Sequence, residues 1–399
     1  MTEEKTVLHI AAHMGGGVGK VLSNVAIRDS NYEHKIILLE KPMDTQYSDK
    51  CLKNGVDLRI EPSKYDLRSM TDNSDIIQFD WWAHPLLYKT MHELSDIRMR
   101  SVIWSHTAGI TYPHIRRSLV GLPDHFVVSS AYSLQNPSFQ GFPNISVIHS
   151  SGGFEETRGV DLQPHEGFNI GYVGTLGYVK LRPDFMEYCK AVANDIRDVK
   201  FVMIGRIPEP NNVLEDAKKY GIADKFVFKG WVSDLPSELA QLDVLGYILN
   251  KDNFGTTENA LLEAMSMGVL PVVMNQCTER TLIPEGMGAL VDSPQRYAEV
   301  MRAVYDSEEV RKEIGKNARH YVLHNFGLES TINKLNTVYD SVMQYKKHVN
   351  LFGRAIGTTP QEWYNSCQPY TTNDFNKYLV DSTKGSKAQW NKYFTGEVS

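Results

Sequence analysis

Two carboxylates five positions apart, Glu258 and Glu263, stand beside a segment that reads as a helix opened toward an anion. Thr256 or Thr257 supplies an N-cap hydroxyl, and Gly268 supplies a left-handed C-terminal stop with Pro271 close behind. Residues 269–274 are apolar and read as a buried strand. The first turn of such a helix, residues 257–260, points unpaired backbone N–H groups at whatever lies before it, which is a ready anion site. A carboxylate about one and a half turns further along reaches the hydroxyls of a sugar attached to that anion. Phosphate plus ribose is the ligand this arrangement suits. Glu263 lies among Leu261, Leu262, Ala264 and Met265, where an unpaired buried carboxylate is costly, so a ligand-binding role is the stronger reading. Glu258 is equally well explained as a favourable acid in a first helical turn.

A second concentration of chemistry follows the first apolar run. His13 precedes Gly15, Gly16, Gly17 and Gly19, and Lys20 follows. Glycines let backbone approach a ligand closely because no Cβ intervenes. A phosphate-binding P-loop requires glycine at 14 and Ser or Thr at 21, but these positions are Met14 and Val21. A GxGxxG dinucleotide fingerprint fails as well, because Lys20 occupies the place of its third glycine. Asp80, Trp82 and His84 end another apolar run and form a candidate acceptor pocket with His13, although tryptophans here suit a core equally well. The histidines show no HxxxH or HExxH spacing and the four cysteines no CxxC, so no metal site is expected.

The elements that must position these groups alternate between strand-like runs and helical patterns, the signature of α/β domains with parallel sheets. In the first half the strands read at 6–12, 35–39, 76–79, 101–105 and 125–129. A Gly-rich and then polar stretch over 150–165 reads as a linker. A fresh set follows at 168–173, 199–204, 226–228, 243–248 and 270–274. The expected domains are 1–165, 166–328, and a 329–399 cross-over helix with a helical extension, the helix spanning 329–349. The extension is rich in aromatic residues (Trp363, Tyr364, Tyr370, Trp390, Tyr393, Phe394) and too aromatic for a disordered tail.

Phe254–Gly255, Leu262 to Met265, Gly268 and Pro271 to Val273 resemble the donor-binding motif of retaining glycosyltransferases of family 4 (glycosyl transferases group 1), over about residues 5–345. That resemblance implies the GT-B fold: two doubly wound Rossmann-like α/β domains facing across a cleft. It implies that Glu263 holds the ribose of a nucleotide sugar. The first Glu of the motif normally lies eight positions before the second, where this chain has Gly255; Glu258 or Asp252 stands in for it. The resemblance also places Gly16 and Gly17 near the donor phosphates and sets Lys180 on the diphosphate. The family's Arg position is Thr175 here, leaving Arg206 or Arg182 to supply the second cation. Gly230 and Trp231 correspond to the segment that meets the nucleobase, and His106 to a histidine that contacts the transferred sugar. The N–H groups of Thr257, Glu258, Asn259 and Ala260, with Lys180, would then stabilise the departing diphosphate.

The expected activity is a metal-independent, retaining transfer from a nucleoside-diphosphate sugar to a hydroxyl of a glycan, lipid-linked or other acceptor, with no cofactor beyond that co-substrate. A sugar-nucleotide epimerase or a phosphorylase of the same fold is the alternative within enzymes. A catalytically silent binding scaffold is the alternative outside them, favoured by Thr175 and the displaced first Glu and disfavoured by Glu263, Lys180 and His106 together. A length of 399 residues suits two domains. A formal charge of -6 argues against a nucleic-acid partner. No signal-peptide pattern opens the chain and no apolar run is long enough to span a bilayer, so a cytoplasmic location is expected, with at most peripheral contact at the inner face of a membrane.

Overall fold

Each apolar run of the first half is short, rich in Ile, Val and Phe, and bounded by polar turns, a composition that suits strands buried on both faces. In a computed structural model, which describes residues 5–368 and 386–398, these runs form a parallel seven-stranded sheet. Its strands are β1 (Thr6–Ala11), β2 (Glu33–Leu38), β3 (Asp57–Ile60), β4 (Ile76–Trp81), β6 (Ser101–Ser105), β7 (His125–Val128) and β8 (Ile145–Val147), with β5 (Arg98–Met99) standing outside it. The order is β3-β2-β1-β4-β6-β7-β8. The second half gives a parallel six-stranded sheet of β9 (Phe168–Val173), β10 (Val199–Ile204), β11 (Phe226–Gly230), β12 (Val244–Tyr247), β13 (Leu270–Met274) and β14 (Ala289–Val291), in the order β11-β10-β9-β12-β13-β14. All ten expected strands are present. The missed ones are short: β3 is half exposed, β8 and β14 have three residues each, and β5 pairs antiparallel with β15 (His348–Val349).

The strand order reverses direction beside β1 and β4 in the first sheet and beside β9 and β12 in the second. Such switch points leave a crevice at the carboxyl ends of the strands, where ligands of doubly wound sheets bind. The candidate residues considered below lie at or after the ends of strands adjoining one of these two points, or one strand further out.

Contacts divide the chain into two units. One comprises residues up to Gly153, Phe254–Thr257 and everything from Gly327 onward; the other comprises Phe154–Asn253 and Glu258–Phe326. The division therefore falls at Gly153, earlier than 165. Phe154 is buried in the core of the second unit, and the Thr157 hydroxyl meets that of Ser266 at 2.8 Å. The helix expected over 329–349 runs from Leu328 to Val342 and stops there, because His348 and Val349 pair with β5 instead.

The extension contributes helices Phe352–Ile356, Pro360–Ser366 and Lys387–Tyr393. They pack within the first unit: the Trp390 ring lies 5.5 Å from that of Tyr88, and the Trp363 ring 5.7 Å from that of His92. Trp390 is fully buried. Tyr370 lies outside the described residues.

Candidate functional site

In the second unit, the helix anticipated after Gly255 spans Asn259–Ser266, and its N-cap residue is Glu258 rather than a threonine. Thr257 is occupied elsewhere. Its hydroxyl donates to the Ser129 carbonyl at 3.1 Å and accepts from the Ser150 N–H at 2.8 Å, both within the first unit. Glu258 itself adopts a left-handed conformation (φ 52°, ψ 56°), which costs a non-glycine residue on the order of 1–3 kcal/mol. Two side chains hold it there. Lys180 Nζ lies 3.2 and 3.1 Å from its two carboxylate oxygens, and the Tyr247 hydroxyl donates to Oε2 at 2.8 Å. Glu258 therefore stands outside the helix that carries Glu263. The Gly268 stop is as expected, with φ 86°.

Glu263 is half-buried, so its surroundings do not impose the desolvation cost inferred from its apolar neighbours in sequence. Its carboxylate is on the solvent-reachable side of the helix whose first turn carries Asn259 and Ala260, both also half-buried. Helical periodicity explains the difference: Leu261, Leu262, Ala264 and Met265 face the core, and position 263 lies between those faces.

Lys180 is held by its loop as well as by Glu258. Its N–H donates to the Gly177 carbonyl, and its own carbonyl accepts from the Asn250 N–H at 2.8 Å. The strand exits beside it are laced together: the Gly174 N–H donates to Ile204, Leu176 to Arg206, and Gly205 to Gly230. Gly205 has to be glycine, because a Cβ there would stand 2.0 Å from the Gly174 carbonyl oxygen. Thr175 and Arg206 are both exposed at these adjoining exits, and Trp231 is 72% exposed just past Gly230. Arg182 is committed elsewhere, in a two-pronged pair with Asp184 at 2.8 and 3.0 Å. Of the two arginines, Arg206 is the exposed one, whereas Arg182 is half-buried and paired with Asp184.

A residue that sequence reading passed over completes this cluster. Glu279 is fully buried in helix Cys277–Leu282, and neither carboxylate oxygen meets a donor at hydrogen-bond geometry. Burial and the nearby Glu258 charge push its pKa up to about 8, with Lys180 opposing. Cys277, two residues before it, is a second non-glycine residue at positive φ, 47°. A pKa raised in the folded state means stability is fully present below the unfolded value of 4.5 and is lost as pH rises toward 8. We therefore expect Glu279→Gln to match the parent near pH 4.5 and to melt progressively higher than it as pH approaches 8. Thermal melts over that range check this; a pH-independent difference would contradict it. Its placement just beyond the carboxyl end of β13 was the available signal.

In the first unit, His106 follows β6 and is buried. Its Nε2 lies 3.0 Å from Asp80 Oδ1, and its Nδ1 2.7 Å from the Ser150 hydroxyl. Both ring nitrogens are thus engaged inside the protein, which removes it as a direct hydrogen-bond partner of a transferred sugar. Asp80 is fully buried and does not line a pocket; it receives Gln78 Nε2 at 3.0 Å and faces His9 Nδ1 at 3.5 Å. The chain of contacts continues from His9 Nε2 to His34 Nδ1 at 2.7 Å and from His34 Nε2 to Asp29 Oδ2 at 3.0 Å.

The proton positions in this chain follow from its ends. The Tyr339 hydroxyl donates to Gln78 Oε1 at 2.7 Å, so the Gln78 amide turns its NH2 toward His9 Nδ1 and Asp80. His9 then donates through Nε2 to His34, and His34 donates through Nε2 to Asp29. Burial, chiefly, brings His34 down to about 4, in keeping with a neutral ring. The hydrogen bond from His106, with His9 close by, holds Asp80 below the ordinary carboxylate range despite burial. This arrangement satisfies the hydrogen bonds of the chain, while Asp80 Oδ2 faces His9 Nδ1 without one.

Trp82 and His84 are also buried rather than displayed, because β4 is central in the sheet and its exit is roofed by the terminal helices. His13 is half-buried, with Nδ1 accepting the Gly15 N–H at 3.2 Å. Gly16 has φ 57° and opens helix Gly16–Arg28, with Gly16 and Gly17 exposed. Gly19 packs too closely for any side chain, since a Cβ would lie 2.4 Å from the Met14 carbonyl oxygen.

Residues 153–321 match the family model described as glycosyl transferases group 1. This chain carries a group 1 glycosyltransferase domain. The chain is 25% identical over 180 residues to N-acetyl-alpha-D-glucosaminyl L-malate synthase of Bacillus anthracis, covering 44% of this chain and 46% of that one. It is 24% identical over 185 residues to the capsular polysaccharide biosynthesis glycosyltransferase CapM of Staphylococcus aureus, covering 45% and 48%. The aligned segment thus spans about half the length of these curated relatives. Among solved structures, HepE of Anabaena, crystallised with UDP and glucose, superposes with a TM-score of 0.70 at 15% identity over 85% of this chain and all of its own. Sucrose-phosphate synthase of Thermosynechococcus elongatus superposes with a TM-score of 0.65 at 15% identity over 86% and 100%. The fold of this chain is GT-B. Lys180, Thr175, Arg206, Glu258, Glu263 and Glu279 all lie within the matched domain, whereas His13, Glu40, Asp80, His84 and His106 lie outside it.

Proposed function

We propose that this chain is a retaining, metal-independent glycosyltransferase that moves a sugar from a nucleoside-diphosphate sugar to a hydroxyl of a glycan or lipid-linked acceptor. The Lys180–Glu258 pair at the head of helix Asn259–Ser266 is the observation that carries the reading. A strained carboxylate and a partly exposed ammonium are held together at the first turn of a helix, the end at which backbone N–H groups point outward. On this reading the diphosphate takes the Asn259 and Ala260 N–H groups, Lys180 and Arg206. That concentration of donors offsets the charge that develops as the diphosphate leaves, which a divalent cation would otherwise do. Glu263 takes the ribose hydroxyls, and Glu258 orients Lys180 while facing the sugar. The anomeric carbon becomes oxocarbenium-like, and the acceptor hydroxyl enters on the face the diphosphate departs from.

HepE binds UDP, UDP-glucose and glucose in its crystals, so UDP is the first probe to use. Calorimetry should show UDP binding to the full chain, and Glu263→Gln should weaken it by about ten- to a hundredfold, the scale of losing a charge-assisted hydrogen bond worth roughly 1.5–3 kcal/mol. EDTA should leave both binding and turnover unchanged. UDP affinity indifferent to Glu263→Gln in a folded variant would remove the ribose role, and strict dependence on a divalent cation would overturn the metal-free mechanism. The acceptor chemistry points to a cytoplasmic enzyme at or near a membrane surface; no described helix is long and apolar enough to cross one.

A further inference from the structure

The terminal extension lies outside the matched domain, yet one of its side chains reaches the carboxyl end of the first sheet. Tyr393, in helix Lys387–Tyr393, donates its hydroxyl to Glu40 Oε2. Glu40 follows β2, and its backbone N–H is tied to the Ala12 carbonyl at 3.0 Å beside the glycine loop. His84 Nε2 lies 3.4 Å from the other oxygen, Oε1. The His84 ring is fixed from behind, because its Nδ1 accepts the Leu86 N–H at 3.3 Å, which leaves the proton on Nε2 facing Glu40. The Tyr393 ring stands edge-on to that of His84, 5.3 Å away. One carboxylate is therefore hydrogen-bonded at one oxygen by Tyr393 and faced at the other by the His84 ring at ion-pair distance, from two distant parts of the chain.

We infer that Glu40, His84 and Tyr393 form an acceptor subsite that binds a neutral sugar through two adjacent hydroxyls. Each carboxylate oxygen has two acceptor sites, and these two contacts use one on each. One remains on each oxygen, side by side, the spacing a vicinal diol requires. Glu40 is 23% exposed at its side chain, and Tyr393 and His13 are half-buried around it, so the remaining sites face solvent. Despite burial, the bonds from His84 and Tyr393, with His13 nearby, hold the carboxylate at about 2, so it stays ionised at any working pH. A permanent anion repels carboxylated and phosphorylated acceptors and accepts readily from neutral hydroxyls. The extension thus sets which acceptor is taken, leaving the donor side to the matched domain. The inference rests on the transferase reading above for the word acceptor, though not for the binding itself.

The test uses the full chain and saturation-transfer NMR with three neutral probes, the methyl glycosides of glucose, mannose and galactose, and one anionic probe, methyl glucuronide. At least one neutral probe should bind and methyl glucuronide should not. Tyr393→Phe, which keeps the ring and removes only the donor, should weaken the neutral probe several-fold, and Glu40→Gln about tenfold or more. UDP affinity, measured by calorimetry on the same samples, should be unchanged in both variants. Absence of binding by every neutral probe, equal binding by both variants, or preference for the glucuronide would each overturn the subsite. Failure of UDP to bind would instead strike the transferase reading and leave the sugar result to be judged by itself.

Discussion

Lys180→Ala is expected to lower turnover by about two orders of magnitude, the usual scale for losing one preorganised charge donor at a departing anion. The same change should also lower the melting temperature, because Lys180 is the cationic partner of a carboxylate only 1% exposed. Removing one member of a buried pair typically costs about 3–5 kcal/mol, and the second buried carboxylate, Glu279, adds like-charge repulsion. The two losses can be separated. Lys180→Met combined with Glu258→Gln removes both charges, so the double variant should recover most of the melting temperature while transfer stays low. Recovery of transfer along with stability would show that Lys180 serves the fold and not the diphosphate. Near-normal turnover in Lys180→Ala would hand the phosphate role to Arg206.

The largest expected effect on stability belongs to Asp80→Asn. The amide would set an NH2 group against the donors His106 and Gln78, leaving buried groups unsatisfied at a cost of about 3–5 kcal/mol. For a chain of this size the melting temperature should fall on the order of 10 °C. The pH dependence supplies a sign. Because Asp80 is held below its usual range in the folded protein, its contribution is present above an unfolded value of 3.8 and is lost as pH falls through the lower folded value. The gap between parent and variant should therefore be wide at neutral pH and narrow on acidification. Thermal melts from neutral pH into the acid range, at fixed ionic strength, give that comparison; a gap that widened toward acid would refute the assignment.

Much of the fold was legible because parallel strands buried on both faces read as uninterrupted apolar runs, and ten of them stand in the sequence between polar breaks. The strands that escaped notice are short or lie at sheet edges. Asp57–Ile60 carries charge at two of four positions, and Ala289–Val291 is too short to register a period. The helix before β13 was readable from Gly268 and Pro271, where glycine and proline have strict backbone meanings. Its start was misread because a threonine is normally the better cap. Here the hydroxyl of Thr257 is claimed by Ser129 and Ser150, more than a hundred residues earlier in the chain.

Sequence alone determined the residue types at the strand exits, from which the proposed class of ligand follows: glycines where backbone must approach, a lysine, and carboxylates beside a helix start. Local rules suffice for these, since a strand's end, a helix's first turn and a glycine's freedom depend on near neighbours. Tertiary structure decided what each side chain is for. It withdrew His106, Asp80 and Trp82 into the interior, joined Lys180 to Glu258 across 78 positions, and exposed Glu279 as a buried acid without a donor. It also brought Tyr393 from the far end of the chain onto Glu40, a contact spanning 353 positions. The physical reason is the same in each case. A polar group's role depends on its desolvation and on its partners, and partners at such separations are chosen by packing, about which the intervening sequence says nothing.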